Sequence, residues 1–307
     1  MNLTKLVVTG TSGYIGRSLI NELNDPEVVC FSRRESLHIN ATEYVVPDIA
    51  DFYKVIREID RVHSIVHLAA LAHNKCSSIN EYMRVNYTEA LNFAREAATL
   101  GVKRFIYLST ANVYGLGAQT SPFIEDCIGS SLDAISDIRL QFEKALLELG
   151  QELSMQVVIL RCPLVYSLSA PANFGKFVKL TSRSRILPFG SFKSKRSYLS
   201  LNNLLSAILQ VISTNSNKSG VYNISDDHDI SMVEMSNLVA NYHGIRPIQV
   251  HIPHLCIKFI DYVVGGNNFT RLFLTAFQVN CEKFKREFNW VPVQTPSEHF
   301  NRLRVFK

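Results

Sequence analysis

The sequence predicts a doubly wound α/β fold, a parallel sheet with helices on both faces, followed by a smaller C-terminal α/β lobe. A glycine-rich turn joins the first apolar strand pattern to an amphipathic helix pattern, and strand and helix patterns then alternate, as a parallel sheet with right-handed crossovers requires. The 307 residues suffice for one large domain and a smaller lobe. We place these units at residues 1–165 and 166–307, with some exchange of chain between them.

Composition and charge exclude several classes of protein. Apolar residues make up 47% of the chain and charged residues 19%, which is ordinary globular usage and argues against extended disorder. No apolar run reaches 18 residues, so no membrane span is expected. The chain enters a strand at once, without a signal-peptide pattern, which predicts a cytoplasmic protein. The formal charge of +5 is modest, so nucleic acid is not an expected partner, and the six cysteines show no metal-ligand spacing.

The glycine-rich turn TGTSGYIG carries Gly10, Gly13 and Gly16 between the first strand and the first helix. The first glycine allows the tight turn, the second lets the backbone approach a pyrophosphate, and the third lets helix and strand pack closely. Free backbone N–H groups at the helix start, around Tyr14 and Ile15, then face the phosphates. A strand before the turn and a helix after it are the context that indicates a dinucleotide-binding Rossmann turn.

The residues after the second predicted strand, 28–32, bear on the choice of cofactor. An acidic residue there binds the ribose 2′-hydroxyl, whereas an arginine accommodates a 2′-phosphate. This chain has Arg33 and Arg34, so we expect NADP(H) in preference to NAD(H), the alternative being that both arginines are solvated surface charges. Asp48, followed by Ile49, comes after the third strand. Asp48 either accepts from the adenine amino group or caps the next helix.

The fourth predicted strand, residues 64–70, ends where the chain passes beside the cofactor. Its last residues, Leu68, Ala69 and Ala70, are mostly small and are predicted to line the cofactor site. A polar loop and a long helix over residues 79–100 follow.

Several separated motifs resemble the extended short-chain dehydrogenase/reductase class, which contains nucleotide-sugar epimerases, dehydratases and reductases. The likeness extends from about Leu3 to about Pro292. It implies that Asn86 and Cys162 lie beside the cofactor. The motifs are TGTSGYIG, Asp48, VHLAA, Asn86 within RVNYTEALNFAREA, GVKRFIYLST and NVYG.

The second half is similar to the substrate lobes of bacterial enzymes that act on UDP-hexoses or UDP-N-acetylhexosamines, including 4-epimerases and 4-reductases of surface-polysaccharide pathways. The resemblance rests on LRCPLVY, APANF, ILPFG and KRSYLSLNNL. It implies a UDP-sugar ligand, with Asn173 and Arg196 at diphosphate-contact positions and Arg271 as a further phosphate contact. A turn residue and a surface charge are the alternatives for Asn173 and Arg196. The family commonly forms homodimers through its two long helices.

The resemblance also implies a catalytic tyrosine and a lysine one helical turn later, which here fall at Ile135 and Arg139. Thr110 matches the family's serine or threonine. Isoleucine has no proton to exchange, whereas arginine keeps its charge and still reaches ribose hydroxyls. Tyr114 and Cys162 are weaker candidates for a replacement base. The leading hypothesis is therefore a nucleotide-sugar enzyme with an altered site. The competing hypothesis is a catalytically silent cofactor- or nucleotide-sugar-binding regulator or scaffold.

Overall fold

The computed structural model describes residues 5–35, 40–71, 76–115, 119–127, 133–253 and 275–305. Thirteen strands lie within these ranges. In chain order they are β1 (Lys5–Thr9), β2 (Val28–Ser32), β3 (Thr42–Val45), β4 (Val62–His67), β5 (Arg104–Thr110), β6 (Gln156–Cys162), β7 (Leu164–Tyr166), β8 (Ile186–Leu187), β9 (Lys195–Arg196), β10 (Tyr198–Ser200), β11 (Gly220–Asn223), β12 (Ile230–Ser231) and β13 (Ile248–Gln249).

Ten α-helices lie in the same part of the chain. They are α1 (Tyr14–Leu23), α2 (Phe52–Ile56), α3 (Ile79–Met83), α4 (Ala90–Thr99), α5 (Ala134–Glu152), α6 (Ala172–Thr181), α7 (Leu201–Ser213), α8 (Met232–Tyr242), α9 (Glu282–Phe288) and α10 (Pro296–Val305). Short 3-10 helices span Ile49–Asp51 and Ala111–Tyr114, and a π-helical segment, Arg84–Glu89, joins α3 to α4.

Seven strands form one parallel sheet in the order β11-β6-β5-β4-β1-β2-β3. The strand order reverses between β1 and β4. From this point β2 and β3 extend the sheet on one side, and β5, β6 and β11 extend it on the other. One face packs against α1, α7 and α9, and the other against α2, α4 and α5. The predicted doubly wound α/β fold is confirmed, and the crevice at the carboxyl ends of β1 and β4 is where such sheets bind ligands.

The second lobe packs three short two-stranded sheets against α6, α8 and α10. Its core contains rings from Tyr166, Phe174, Tyr198 and Phe300. The helix α8 begins with the predicted capping box at Ser231, whose hydroxyl accepts from the N–H of Glu234. Between these elements, α7 and β11 return to the central sheet, so the chain crosses between the lobes more than once.

Two predicted elements differ in detail from the structure. The fourth strand ends at His67, because Leu68 and Ala69 turn away to bond the end of β1. The helix predicted over residues 79–100 contains the π-helical segment around Asn86. Both differences coincide with tertiary hydrogen bonds, those of Thr9 to Leu68 and Ala69 and those of Asn86 to Leu71, which hydrophobic periodicity does not reveal.

A buried ion pair joins α5 to the sheet. The guanidinium of Arg161 on β6 donates to the carboxylate of Glu143 at 2.6 and 3.0 Å, and the two side chains are 7% and 2% exposed. Ser109 on β5 donates a further hydrogen bond to Glu143. Because every oxygen of the carboxylate is engaged, the burial of this charge is compensated.

We expect Glu143→Gln to lower the free energy of unfolding by about 3 kcal/mol, because it leaves the guanidinium of Arg161 buried without its counter-ion. Glu148→Gln is the matched control on the same helix. Glu148 is 65% exposed and lies 3.9 Å from Lys144, so its loss should change stability by less than about 0.5 kcal/mol. Urea denaturation of both variants measures the difference, and equal effects would contradict the assignment.

Candidate functional site

A cavity of about 800 Å³ opens at the carboxyl ends of β1 and β4. It contains nine of the residues predicted to bind a cofactor, together with neighbours that the sequence did not single out. The predicted residues are Gly10, Gly13, Arg33, Arg34, Asp48, Ile49, Leu68, Ala69 and Ala70. Those that the prediction missed include Ser12, Arg17, Glu35, Leu71, Glu81, Arg84 and Val85.

The three glycines of the turn have different roles. Gly10 has a φ of +73°, and a Cβ there would lie 2.7 Å from the backbone nitrogen of Ala69, so only glycine fits this position. A Cβ on Gly16 would lie 2.4 Å from the carbonyl oxygen of Gly10, which is the close approach of helix and strand that the sequence predicts. Gly13 precedes α1 as its N-cap without a side-chain cap, so the first N–H groups of the helix are available to an anion.

The hydroxyl of Thr9 holds the end of β1 against the chain that leaves β4. It accepts from the N–H groups of Leu68 at 3.2 Å and Ala69 at 3.1 Å. The Thr9 hydroxyl lies 3.0 Å from Nδ1 of His67. Because both lone pairs of the hydroxyl oxygen accept from these N–H groups, the hydroxyl donates a hydrogen bond to Nδ1. The imidazole is 1% exposed, and burial lowers the pKa of His67 from 6.5 to about 4. His67 is therefore a neutral structural residue.

Three arginines and one glutamate, Glu35, line the cavity on α1 and directly after β2. Arg33 and Arg34 follow β2 directly, and Arg17 lies on α1 one turn after Gly13. Both Arg33 and Arg34 have exposed side chains. Their place at the end of β2, inside the cavity, is where a 2′-phosphate is expected in this fold.

Asp48 caps the 3-10 helix that follows β3, so the capping interpretation is correct. Its carboxylate accepts from the N–H of Ala50 at 3.0 Å, and the same carboxylate forms an ion pair with Arg84. The Ala50 N–H and the guanidinium of Arg84 lower the pKa of Asp48. The carboxylate is therefore ionised and held in place at the rim of the cavity.

Several predicted cofactor residues point elsewhere. Tyr14 extends its side chain between the lobes, where its hydroxyl bonds that of Ser167, and Ile15, in the first turn of α1, packs against the apolar core on that face of the sheet. Asn86 clamps the backbone of Leu71, accepting from its N–H at 2.8 Å and donating to its carbonyl at 3.0 Å. These side chains act on the loops and helices that form the cavity. Only the backbone N–H groups of Tyr14 and Ile15 remain available for a direct contact with a cofactor.

The predicted catalytic residues lie at the ends of β5 and β6 and on the facing helix. Thr110 ends β5 and is the register partner of Cys162 on β6. The Thr110 hydroxyl accepts from the N–H of Asn112 at 3.2 Å. Ile135 lies half-buried in the first turn of α5. Arg139 follows one turn later.

Arg139 is directed towards two tyrosine side chains. Its guanidinium lies 5.9 Å from the ring centre of Tyr82 and 3.5 Å from the hydroxyl of Tyr107. Burial raises the pKa of Tyr107 to about 12, in spite of the nearby guanidinium. Tyr107 therefore stays protonated and does not supply a base.

Neither Tyr114 nor Cys162, the two candidates for a replacement base, is suited to act as a general base. The Tyr114 hydroxyl donates to Asn223 at 2.7 Å and accepts from Arg161 at 3.0 Å, and burial raises the pKa of Tyr114 to about 12. Cys162 is fully enclosed at the end of β6, and burial raises the pKa of its thiol. A general base must be accessible to the substrate and titrate near working pH, and these two groups meet neither condition.

The predicted substrate residues lie on separate elements of the second lobe. Asn173 is exposed in the first turn of α6. Arg196 on β9 is half-buried, donates to the carbonyl of Thr275 at 2.9 Å and lies 5.2 Å from the ring centre of Phe277. Arg196 is thus partly buried and hydrogen-bonded, which differs from a fully solvated surface charge. Arg271 lies outside the described residues.

The chain belongs to the NAD dependent epimerase/dehydratase family, and the model of that family matches residues 6–225. UDP-glucose 4-epimerase of Vibrio cholerae is 30% identical over 306 residues, which cover 97% of this chain and 93% of that protein.

Two solved structures establish the fold over almost the whole chain. UDP-glucose 4-epimerase of Thermotoga maritima, in complex with UDP-glucose, has a TM-score of 0.79 and 20% identity, and covers 99% of this chain and 98% of its own. RMD of Pseudomonas aeruginosa, in complex with NADPH, has a TM-score of 0.74 and 18% identity, with the same coverage.

Histidine, cysteine and acidic side chains also occur elsewhere in the described residues. No group of three or more histidine, cysteine, aspartate or glutamate side chains there could hold a metal ion. The five cysteines in these ranges are all free thiols, whereas Cys256 lies outside them. Among the helices described, none is both long and apolar enough to cross a lipid bilayer.

We expect acid to destabilise the protein through His67. Because the folded pKa of about 4 lies below the unfolded value of 6.5, the unfolded chain binds more protons between these pH values, and stability falls as the pH drops through them. The contribution from pH 7 to pH 5 is about 2 kcal/mol. Urea denaturation at both pH values should show a fall in stability that is smaller by this amount in His67→Gln than in the wild type and in the exposed control His251→Gln. Burial also lowers the pKa of His299 to about 4, so a fall from that residue remains in all three proteins. An unchanged pH dependence in His67→Gln would refute the contribution of His67.

Proposed function

We propose that this protein binds NADP(H), in preference to NAD(H), together with a UDP-sugar, and that it is an epimerase/dehydratase/reductase-type protein with an altered proton-transfer site. The observation that carries the proposal is the cavity at the switch point of the sheet. Uncapped N–H groups of α1 lie at one part of its lining and the guanidinium groups of Arg33 and Arg34 at another. These are the two kinds of group that a dinucleotide with a 2′-phosphate requires.

The residues present fit such a cofactor. A Cβ on Gly10 would collide with the Ala69 backbone, and Gly13 leaves the helix start open, so the turn is shaped for phosphate groups. Hydride transfer is the chemistry that a nicotinamide dinucleotide supplies when bound. The chain itself contributes the phosphate contacts, the cations near the 2′-position, and Asn86, which positions the loop at Leu71.

The proposed substrate is a UDP-sugar of the kind used to build surface polysaccharides. It is supported by the match of the whole chain to a UDP-glucose 4-epimerase and by the half-buried Arg196. A guanidinium with one carbonyl partner retains donors for a diphosphate, and partial burial strengthens such charge-assisted bonds. Asn173 would contact the same group from α6, and Arg271 is proposed as a further phosphate contact.

The site's own chemistry is limited at the proton-transfer step. Thr110 offers a hydroxyl that bonds a substrate hydroxyl, but Ile135 has no ionisable group in the place proposed for the base. Arg139 keeps a positive charge for ribose hydroxyls and stays protonated at any working pH. General acid–base catalysis contributes about 10²–10⁴-fold to a rate, so we expect turnover lower by that factor than with a tyrosine–lysine pair.

A second candidate function is a silent cofactor- or nucleotide-sugar-binding regulator or scaffold. It is favoured by the position of Arg139, which is directed towards Tyr82 and Tyr107, and by the buried, fully bonded hydroxyl of Tyr114. Cofactor binding without turnover is its distinguishing property. We further infer a cytoplasmic protein that forms a homodimer through the helical run 79–99 and α5, which the mass in solution would test.

The cofactor preference depends on Arg33 and Arg34. We expect wild-type protein to bind NADPH at least about tenfold more tightly than NADH, since charge-assisted hydrogen bonds contribute about 1.5–3 kcal/mol. The double variant Arg33→Ala with Arg34→Ala should lose this preference. The control, Arg183→Ala with Arg185→Ala, removes two exposed arginines of the second lobe and should keep it. Fluorescence titration with both cofactors measures the ratio, and a wild-type preference for NADH would overturn the assignment.

The catalytic proposal is tested by restoring the pair. Ile135→Tyr with Arg139→Lys should raise turnover of a UDP-sugar by about 10²–10⁴-fold, because it supplies the missing proton donor and its lysine. Arg139→Lys alone is the matched control and should leave turnover low. The measurement uses NAD(P)(H) and a panel of UDP-sugars. Native turnover as fast as that of the restored variant would contradict the altered-site proposal. A cofactor-binding wild type without any turnover would support the silent regulator instead.

A further inference from the structure

An ion pair at the rim of the cofactor cavity is not explained by the functions assigned so far. The two terminal nitrogens of Arg84 lie 3.2 and 3.3 Å from the two carboxylate oxygens of Asp48. Asp48 follows β3, whereas Arg84 lies in the π-helical segment. The side chains are 45% and 46% exposed, and both line the cavity. Exposed pairs contribute little to stability, so the fold alone gives no reason for this arrangement.

The two members of the pair are held differently. Asp48 is fixed by the N–H of Ala50 and by its place at the start of a 3-10 helix. Arg84 reaches it through a long side chain from a turn that is wider than an α-helix. The carboxylate engages the guanidinium end-on through its two terminal nitrogens, and such bidentate pairing fixes the guanidinium plane. A flat, oriented cation therefore lies at the rim of the cavity.

The adenine of a bound dinucleotide must lie close to this cation. Arg33 and Arg34 follow β2, Asp48 follows β3, and the two strands are neighbours in the parallel sheet. The base and the 2′-oxygen are attached to adjacent carbons of one ribose. A 2′-phosphate on the arginines after β2 thus places the base beside the segment after β3. Apolar side chains of Ile49 and Leu71 line the cavity there.

We propose that Arg84 is a base-recognition residue, which stacks its guanidinium on the adenine of the bound nucleotide while Asp48 holds its plane. The inference rests on the proposed dinucleotide binding in this cavity. A guanidinium is planar and weakly hydrated, and it is attracted to aromatic faces. Insertion of the base would cover the exposed part of the pair, and removal of water would strengthen both the stacking and the ion pair. In the proposed dinucleotide site the base that Arg84 stacks on is the adenine of the nucleotide.

Titration of NADPH fluorescence with the full-length protein tests this inference. Arg84→Ala should weaken NADPH binding about tenfold, within the range measured for cation–π contacts. Adenosine 2′,5′-bisphosphate, used as a competitor, should lose the same factor, whereas inorganic pyrophosphate, which lacks a base, should change by less than about twofold. Arg84→Lys retains the charge without the planar face and should recover only a small part of the loss.

Arg95→Ala is the matched control. Arg95 lies on α4, is 52% exposed, pairs with Glu152 and does not line the cavity, so the same charge is removed without loss of NADPH affinity. Thermal unfolding without ligand should be unchanged in each variant.

The possible results separate this inference from the proposed function. A wild type that does not bind NADPH overturns the proposed function and the inference with it. If the wild type binds and Arg84→Ala binds equally well, only the role of Arg84 is overturned. Parallel weakening of pyrophosphate, or full recovery in Arg84→Lys, would assign the effect to charge and would also overturn stacking.

Discussion

The hydrogen bonds of one hydroxyl, that of Thr9, organise the site. Thr9 ends β1 at the point where the strand order reverses, and it accepts from the N–H groups of Leu68 and Ala69 as they leave β4. Ala69 in turn lies so close to Gly10 that no side chain fits there. His67, kept neutral by burial, accepts the hydrogen bond that the Thr9 hydroxyl donates. The glycine turn and the loop that faces it are thus held at a fixed separation, and the cavity lies between them.

Charge is distributed along this cavity in a manner suited to a polyanionic ligand. Uncapped N–H groups of α1 form one part of its lining, and Arg33 and Arg34 extend the positive potential to the end of β2. Three carboxylates of the lining, those of Glu35, Asp48 and Glu81, oppose that potential, and the charge of Asp48 is compensated by Arg84. The same pair provides an oriented guanidinium at the rim. The proposed cofactor choice and the proposed base recognition therefore depend on side chains from three different segments that the sheet brings together.

The helix α5 connects the integrity of the fold to the chemistry of the site. Ile135, Arg139 and Glu143 are spaced four residues apart and so lie on one face of the helix. Glu143 anchors this face to Arg161 on β6, and through it the other two residues are set beside the ends of β5 and β6. Ile135 and Arg139 are the positions at which we propose that a tyrosine–lysine pair has been replaced. Their side chains supply apolar surface and a permanent cation, which in that proposal favours binding over proton transfer.

The sequence by itself determined the doubly wound sheet, the glycine turn, the capping box at Ser231 and nine residues of the cavity, because strand and helix periods and turn chemistry are local properties. Tertiary structure alone decided that Tyr14 bonds Ser167, that Asn86 clamps Leu71, and that Arg84 reaches Asp48. The partners in these contacts are 153, 15 and 36 residues apart. Hydrophobic patterns specify which face of an element is buried, but they do not specify which polar groups meet once the elements have packed.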